Sequence, residues 1–118
     1  VRFVGRIPPA EVARWLQAAD VFALATSREG CCNAVLEALA SGRPVVTTPA
    51  GDNAKFVRDG VNGRIVPIDD VVATAAALEG ALSRKDWDAE AISRGLEVGG
   101  WEDVAGEVLG FFRERVPA

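Results

Sequence analysis

The pattern of apolar and polar positions predicts alternating strands and helices in the first half of the chain. Apolar residues at helical spacing predict a helix over Pro9–Ala18, with proline at its first position. An unbroken apolar run at residues 21–25 predicts a strand buried on both faces, as in a parallel sheet. Shorter strands are predicted at residues 44–48 and 64–67, with a short helix at about residues 53–58 between them. This alternation predicts an α/β fold.

Residues 1–5 alternate in polarity and carry β-branched and aromatic side chains, a pattern that predicts a strand. A lone edge strand leaves its backbone hydrogen-bonding groups unpaired. We therefore expect this segment to pair in a non-native way, to pair with another chain, or to belong to a larger protein.

From Asp69 onward the pattern is wholly helical. One helix is predicted to be capped by Asp69 or Asp70, a second spans residues 86–98, and the last is Trp101–Arg115. The apolar positions on one face of each helix are Val72, Ala75, Leu78 and Leu82, then Ile92 and Leu96, then Val104, Val108, Leu109 and Phe112. These faces are expected to pack against the rest of the domain.

The stretch from residue 27 to 46 carries the candidate chemistry. Glu29 and Glu37 lie on either side of the junction between a loop and a predicted helix. Asn33 is the predicted N-cap, because its side-chain oxygen can accept a hydrogen bond from a free amide of the first turn. Both carboxylates can therefore face the crevice above the carboxyl edge of the sheet, where open α/β folds bind ligands.

This stretch resembles the nucleotide-sugar signature of retaining glycosyltransferases of the GT-B fold, particularly family 4. The shared features are a Ser, a Glu-Gly, seven residues between two glutamates, an Ala-rich run, a Ser-Gly and a Pro-Val-Val. Phe-x-Gly, Ala-Ala-Asp, the RDGVNG turn and a Trp opening the final helix extend the resemblance over essentially the whole chain. The sequence departs from the pattern at Cys31 and Cys32, which are interpreted as small space-fillers with free thiols.

The resemblance implies that residues 1–118 are a single domain, the second part of a GT-B C-terminal donor-binding domain. Its fold would be a partial Rossmann-like parallel sheet with flanking helices and a helical C-terminal tail. The first two βα units and the N-terminal acceptor domain are absent, and the missing initiator Met suggests an excised or processed piece. The intact protein is expected to transfer hexosyl groups, whereas this fragment alone is expected to be inactive.

The resemblance also assigns roles to individual residues. Glu37 would hold the ribose hydroxyls, and Glu29, the catalytic candidate, would contact the transferred sugar. Amides at the start of the helix would face the diphosphate, Gly51 would belong to a phosphate-binding turn, and Arg6 would contact the base or be a solvated loop residue. The implied donor-binding residues are Arg6, Glu29, Gly30, Asn33, Ala34, Val35, Leu36, Glu37 and Gly51.

Two residues near Gly51 depart from the family pattern. Asp52 places a carboxylate where phosphates would lie, and Lys55 occupies a position where the family commonly has Glu. Lys55 could offset Asp52 or reach a phosphate. Alternatively, both are exposed residues at a helix start, so three interpretations remain open.

Composition limits the partners and cofactors. The net charge of −4, with scattered arginines, argues against nucleic-acid binding. The sequence has no histidine, so general-base chemistry would fall to carboxylates and a His-ligated metal site is excluded. The expected substrate is a UDP- or GDP-linked sugar, with no metal or other cofactor. No apolar run is long enough to span a membrane, so we expect a cytoplasmic location, with peripheral membrane association of the intact protein left open.

Two alternative functions remain open from the sequence. The chain could be a non-catalytic or degenerate nucleotide-binding module, in which Asp52, Lys55 and the cysteine pair mark lost activity. It could also come from another GT-B enzyme, such as a nucleotide-sugar epimerase, although the missing histidine disfavours that chemistry.

Overall fold

The computed structural model describes residues 1–115 and has the predicted α/β fold. One parallel sheet has the strand order β1-β2-β3. Its strands are β1 (Phe22–Leu24), β2 (Val45–Thr47) and β3 (Gly63–Ile65). The helices are α1 (Pro9–Ala18), α2 (Asn33–Ala40), α3 (Asn53–Phe56), α4 (Val71–Ser83), α5 (Ala89–Arg94) and α6 (Trp101–Arg115).

Helices cover the sheet on both faces. Consecutive residues of a strand point to opposite faces, so Val45 and Val46 belong to two different apolar clusters. The cluster around Val45 includes buried residues of α1, α2 and α5. The cluster around Val46 includes Ala77 and Ala81 of α4. Strand β2 is buried throughout because it pairs with a neighbour on each side.

Strand β1 is less buried than its apolar sequence predicts. Phe22 and Leu24 are half-buried, and Ala23 is exposed. Within the described residues β1 pairs only with β2, so it forms an edge of the sheet. The prediction of burial on both faces is therefore wrong, because the burial of a strand depends on its neighbours as well as on its own side chains.

The strand predicted at residues 1–5 does not form. Residues 1–8 have no regular secondary structure, and the side chains of Val1 and Phe3 are exposed. No strand of residues 1–115 pairs with this segment, so the expected non-native pairing within the chain is wrong. A strand without a ladder leaves its backbone groups to water. Pairing with another chain stays a prediction.

Helix α4 begins at its predicted cap but buries a different face. Asp70 is the N-cap, and its Oδ1 accepts a hydrogen bond of 2.8 Å from the Ala73 amide. Ala77 and Ala81 are the buried residues of α4. The predicted inward residues Val72, Ala75 and Leu82 are exposed, whereas Leu78 is half-buried. The small alanine side chains let α4 lie close to the sheet, and the larger valines face outward.

The two C-terminal helices also differ from their predicted packing. Helix α5 is shorter than the predicted span 86–98, and it buries Ile92. Helix α6 has its predicted bounds but no buried residue. The predicted inward side chains of α6 that are exposed are Val104, Val108, Leu109 and Phe112. Periodicity determined the helix but not its packing partner.

A buried asparagine organises the turn before β3. The Asn62 Oδ1 accepts a hydrogen bond of 2.6 Å from the Arg58 amide, and its Nδ2 donates to the Phe56 carbonyl at 2.9 Å. Arg84 Nη1, at the end of α4, donates to the Gly60 carbonyl at 2.7 Å. These bonds tie the RDGVNG turn to α3 and α4, and thereby position β3 beside β2.

Replacing Asp70 with Ala is expected to lower the free energy of unfolding by about 1 kcal/mol, because the Ala73 amide would lose its side-chain partner. Asp70→Ser keeps an oxygen acceptor and should recover most of this loss. Urea denaturation of the two variants measures the difference. Equal stability of Asp70→Ala and the wild type would contradict the capping role.

Candidate functional site

Gly51 brings two loops into contact at the carboxyl edge of the sheet. Glu29 and Gly30 lie in the loop after β1, and Gly51 lies in the turn after β2. Gly51 has a φ of 56°, and a Cβ at this position would lie 2.5 Å from the Glu29 carbonyl oxygen and closer still to that of Gly30. The Asp52 amide donates to the Gly30 carbonyl at 3.0 Å. The close approach of the loops therefore requires glycine at position 51.

Helix α2 begins beside this contact, with its cap one residue earlier than predicted. Cys32 is the N-cap and makes no side-chain capping bond, whereas Asn33 is the first helical residue. The prediction of Asn33 as the cap is wrong, because Cys32 is buried in the apolar cluster beneath α2 and precedes the helix there. The start of α2 thus has no side-chain cap.

The first amides of α2 divide into two pairs. The Val35 and Leu36 amides donate to the Cys32 carbonyl at 3.1 and 3.3 Å. Within residues 1–115, no hydrogen-bond partner is present for the Asn33 and Ala34 amides. The Val35 side chain is fully buried in the core. Of the four predicted positions, Asn33 and Ala34 therefore offer unoccupied backbone donors.

The two candidate carboxylates have different surroundings. Glu29 is half-buried in the loop that contacts Gly51, whereas Glu37 is exposed on α2. Glu37 lines a cavity of about 280 Å³ between α1 and α2, together with Pro9 and Ala40. Neither carboxylate forms an ion pair in the described part of the chain. Both are therefore free to accept hydrogen bonds from a ligand.

A buried polar network supports the carboxyl ends of β1 and β2. Thr47 Oγ1 donates to the Leu24 carbonyl at 2.8 Å, and Thr48 Oγ1 donates to the Thr26 carbonyl. Asn53 Nδ2 donates to Thr47 Oγ1 at 3.1 Å and to the Thr48 carbonyl at 3.2 Å. The sequence did not indicate this role for Asn53. Because these hydroxyls are buried and bonded to the backbone, the threonines hold the turn in place.

A cavity larger than the one beside Glu37 lies elsewhere on the same edge. It has a volume of about 440 Å³ and is lined by the ends of β1 and β2 and by the first half of α4. Its polar lining includes Thr26, Ser27, Thr48, Asp70 and Thr74, but neither candidate carboxylate. The two candidate carboxylates therefore lie outside this cavity.

The structure brings some of the predicted residues together. Glu29, Gly30 and Gly51 meet through their backbones, and α2 begins a few residues later. Arg6 is exposed in the segment before α1. No ion pair joins Arg6 to these residues within the described ranges.

Comparison with known proteins identifies the family. Residues 1–84 match the family model described as Glycosyl transferases group 1. The chain belongs to this family. The predicted recognition is thereby confirmed at the level of the family, and the loop, the Gly51 turn and α2 all lie within the matched residues.

The relatives of the chain include two curated proteins and one solved structure. The chain is 37% identical over 83 residues to the lipopolysaccharide core biosynthesis glycosyltransferase LpsE of Rhizobium meliloti. This match covers 70% of the chain and 24% of that protein. The chain is also 35% identical over 116 residues to the D-inositol 3-phosphate glycosyltransferase of Corynebacterium urealyticum. This match covers 96% of the chain and 27% of that protein. The structure of sucrose-phosphate synthase from Thermosynechococcus elongatus matches with a TM-score of 0.78 and 26% identity. This match covers 96% of the chain and 29% of the synthase chain. The chain spans about a quarter of the length of these curated relatives.

Other features of the chain concern metals, thiols and membranes. Residues 1–115 contain no group of three or more His, Cys, Asp or Glu side chains that could hold a metal ion. Cys31 is exposed and Cys32 is buried, both as free thiols. No helix in the described part is long and apolar enough to cross a bilayer.

Proposed function

We propose that this chain is the donor-binding part of a retaining glycosyltransferase that transfers a hexosyl group from a nucleotide-sugar. The contact between the Gly51 turn and the Glu29-Gly30 loop carries the proposal. Through this contact Gly51, the half-buried Glu29 and the start of α2 lie at one edge of the parallel sheet. Open α/β proteins bind ligands at this edge.

The start of α2 supplies the diphosphate-binding groups. The unoccupied Asn33 and Ala34 amides point out of the helix start, where the helix dipole favours negative charge. Gly51 is exposed, so its backbone is accessible in the turn that contacts the Glu29-Gly30 loop. Since the Val35 and Leu36 amides are bonded to Cys32, the diphosphate contact belongs to the first two amides.

Glu37 is suited to the ribose. It lies one helical turn beyond the free amides, about 5 Å along the helix axis. An ionised carboxylate can accept hydrogen bonds from two adjacent hydroxyls through its two oxygens. In this arrangement, the ribose lies against the exposed side of α2 and the diphosphate lies at its start.

We assign Glu29 to the transferred sugar. Its backbone is fixed against Gly51, so the half-buried side chain has a defined origin beside the diphosphate. No protein nucleophile is assigned, and catalysis would rest on positioning and on stabilisation of the leaving diphosphate. The names of the relatives, which include an LPS core glycosyltransferase and a D-inositol 3-phosphate glycosyltransferase, support sugar transfer as the reaction class.

Glu37→Ala is expected to weaken binding of UDP or GDP by at least about tenfold, because a charge-assisted hydrogen bond contributes about 1.5–3 kcal/mol. Isothermal titration calorimetry of the full chain with each nucleotide measures this change. Glu79→Ala is the matched control, since Glu79 is an exposed carboxylate of α4 outside the site.

Equal affinity of Glu37→Ala and the wild type would contradict the ribose assignment. If neither UDP nor GDP binds the wild type at millimolar concentration, the donor-binding proposal itself is wrong.

A further inference from the structure

We propose that Lys55 is a further ligand of the donor diphosphate, held at the rim of the site by Asp52. This inference rests on the proposed function, because it adds a residue to the same site. It gives a role to the two positions at which the turn departs from the family pattern.

The backbone places Lys55 next to the two contacting loops. Lys55 Nζ lies 2.7 Å from Asp52 Oδ1, and the Lys55 amide donates to the Asp52 carbonyl at 2.9 Å. The Asp52 amide is itself bonded to the Gly30 carbonyl. Asp52 thus links the ammonium of Lys55 to the contact between the Gly51 turn and the loop after β1.

The charge of this edge calls for a cation. Glu29, Glu37 and Asp52 are acidic, and a diphosphate would add further negative charge. In the described part of the chain, the ion pair of Asp52 with Lys55 is the only one that any of these three carboxylates forms. Lys55 therefore supplies a positive charge at the turn.

The surroundings of Lys55 keep it protonated. The hydrogen bond to Asp52 and the charge of that carboxylate raise the pKa of Lys55. The ammonium therefore carries its positive charge at neutral pH.

Lys55 is also free to engage a second partner. Its side chain is 71% exposed. An ammonium has three N–H donors, and the Asp52 carboxylate accepts from one of them. An exposed ion pair is weak enough to rearrange when a phosphate arrives. Asp52 then orients the cation, which explains how a carboxylate is tolerated in a phosphate-binding turn.

Lys55→Ala is expected to weaken binding of UDP or GDP about fivefold, the size of a strong exposed ion pair. It should leave the affinity for uridine or guanosine unchanged, because these lack the diphosphate. Lys85→Ala is the matched control, since Lys85 donates to the Leu82 carbonyl at the end of α4. Calorimetry on the full chain compares the variants.

Amine acetylation followed by mass spectrometry provides a second readout that does not depend on a variant. The sequence has two lysines, so Lys85 serves as the internal reference. UDP or GDP should slow acetylation of Lys55 several-fold and leave Lys85 unchanged. If the wild type binds nucleotide but Lys55→Ala binds it equally well, the inference is wrong and the proposed function stands. If the wild type binds neither nucleotide, both are wrong.

Discussion

Gly51→Ala is expected to lower the free energy of unfolding by about 3 kcal/mol and to remove nucleotide binding. An alanine at a φ of 56° is strained by about 1–2 kcal/mol. Its Cβ would also lie 2.5 Å from the Glu29 carbonyl oxygen, so the turn and the loop must separate. Urea denaturation measures the first effect, and calorimetry with UDP and GDP measures the second.

Gly60→Ala separates the effect of backbone strain from that of close approach. Gly60 has a φ of 74°, but a Cβ there would meet no heavy atom within 4 Å. We therefore expect a loss of about 1–2 kcal/mol, from strain alone, with nucleotide affinity unchanged. If the two variants lose the same stability and both bind nucleotide, the contact at Gly51 does not organise the site.

Asn62→Ala is expected to lower the free energy of unfolding by about 2–4 kcal/mol. The buried side chain satisfies the Arg58 amide and the Phe56 carbonyl, and removal of one partner leaves a buried polar group without a hydrogen bond. Urea denaturation of the variant measures the loss.

Val61→Ala is the control for the same turn, because the Val61 side chain is 59% exposed. Its expected change is within about 0.5 kcal/mol. A loss of less than about 1 kcal/mol in Asn62→Ala would show that the turn is held by its backbone bonds alone.

Features set by local sequence were predicted well. Helix α1 begins at Pro9, a residue that suits the first helical position, and α6 begins at Trp101, directly after a glycine pair. Asp70 was one of two predicted caps, and its neighbour Asp69 instead takes a left-handed φ of 61°. These signals act within a few residues of the element that they determine.

Burial was predicted less well, because it depends on distant parts of the chain. Ala23 is exposed although it lies in an apolar strand, and Phe112 is exposed although its helix has an apolar face. Residues 1–5 have strand-forming side chains but no ladder to join. In each case the sequence pattern identified an apolar side chain but did not indicate which part of the chain would pack against it.

The candidate site shows the same division. The motif located Glu29 and Glu37, and the resemblance assigned Gly51 to a phosphate-binding turn. The contact between Gly51 and the Glu29 carbonyl joins positions far apart in sequence, as do the bonds from the Thr47 and Thr48 hydroxyls to the loop after β1. The roles of these residues in binding a ligand stay predictions.

Backbone amide chemical shifts during titration with UDP or GDP test the central claim most directly. If the Gly51 turn, the loop at Glu29 and the start of α2 form one donor site, the largest shifts will occur at Gly30, Asn33, Ala34 and Gly51. Shifts confined to Ser27, Thr48 and Thr74, which line the cavity of about 440 Å³, would place the ligand elsewhere and contradict the claim.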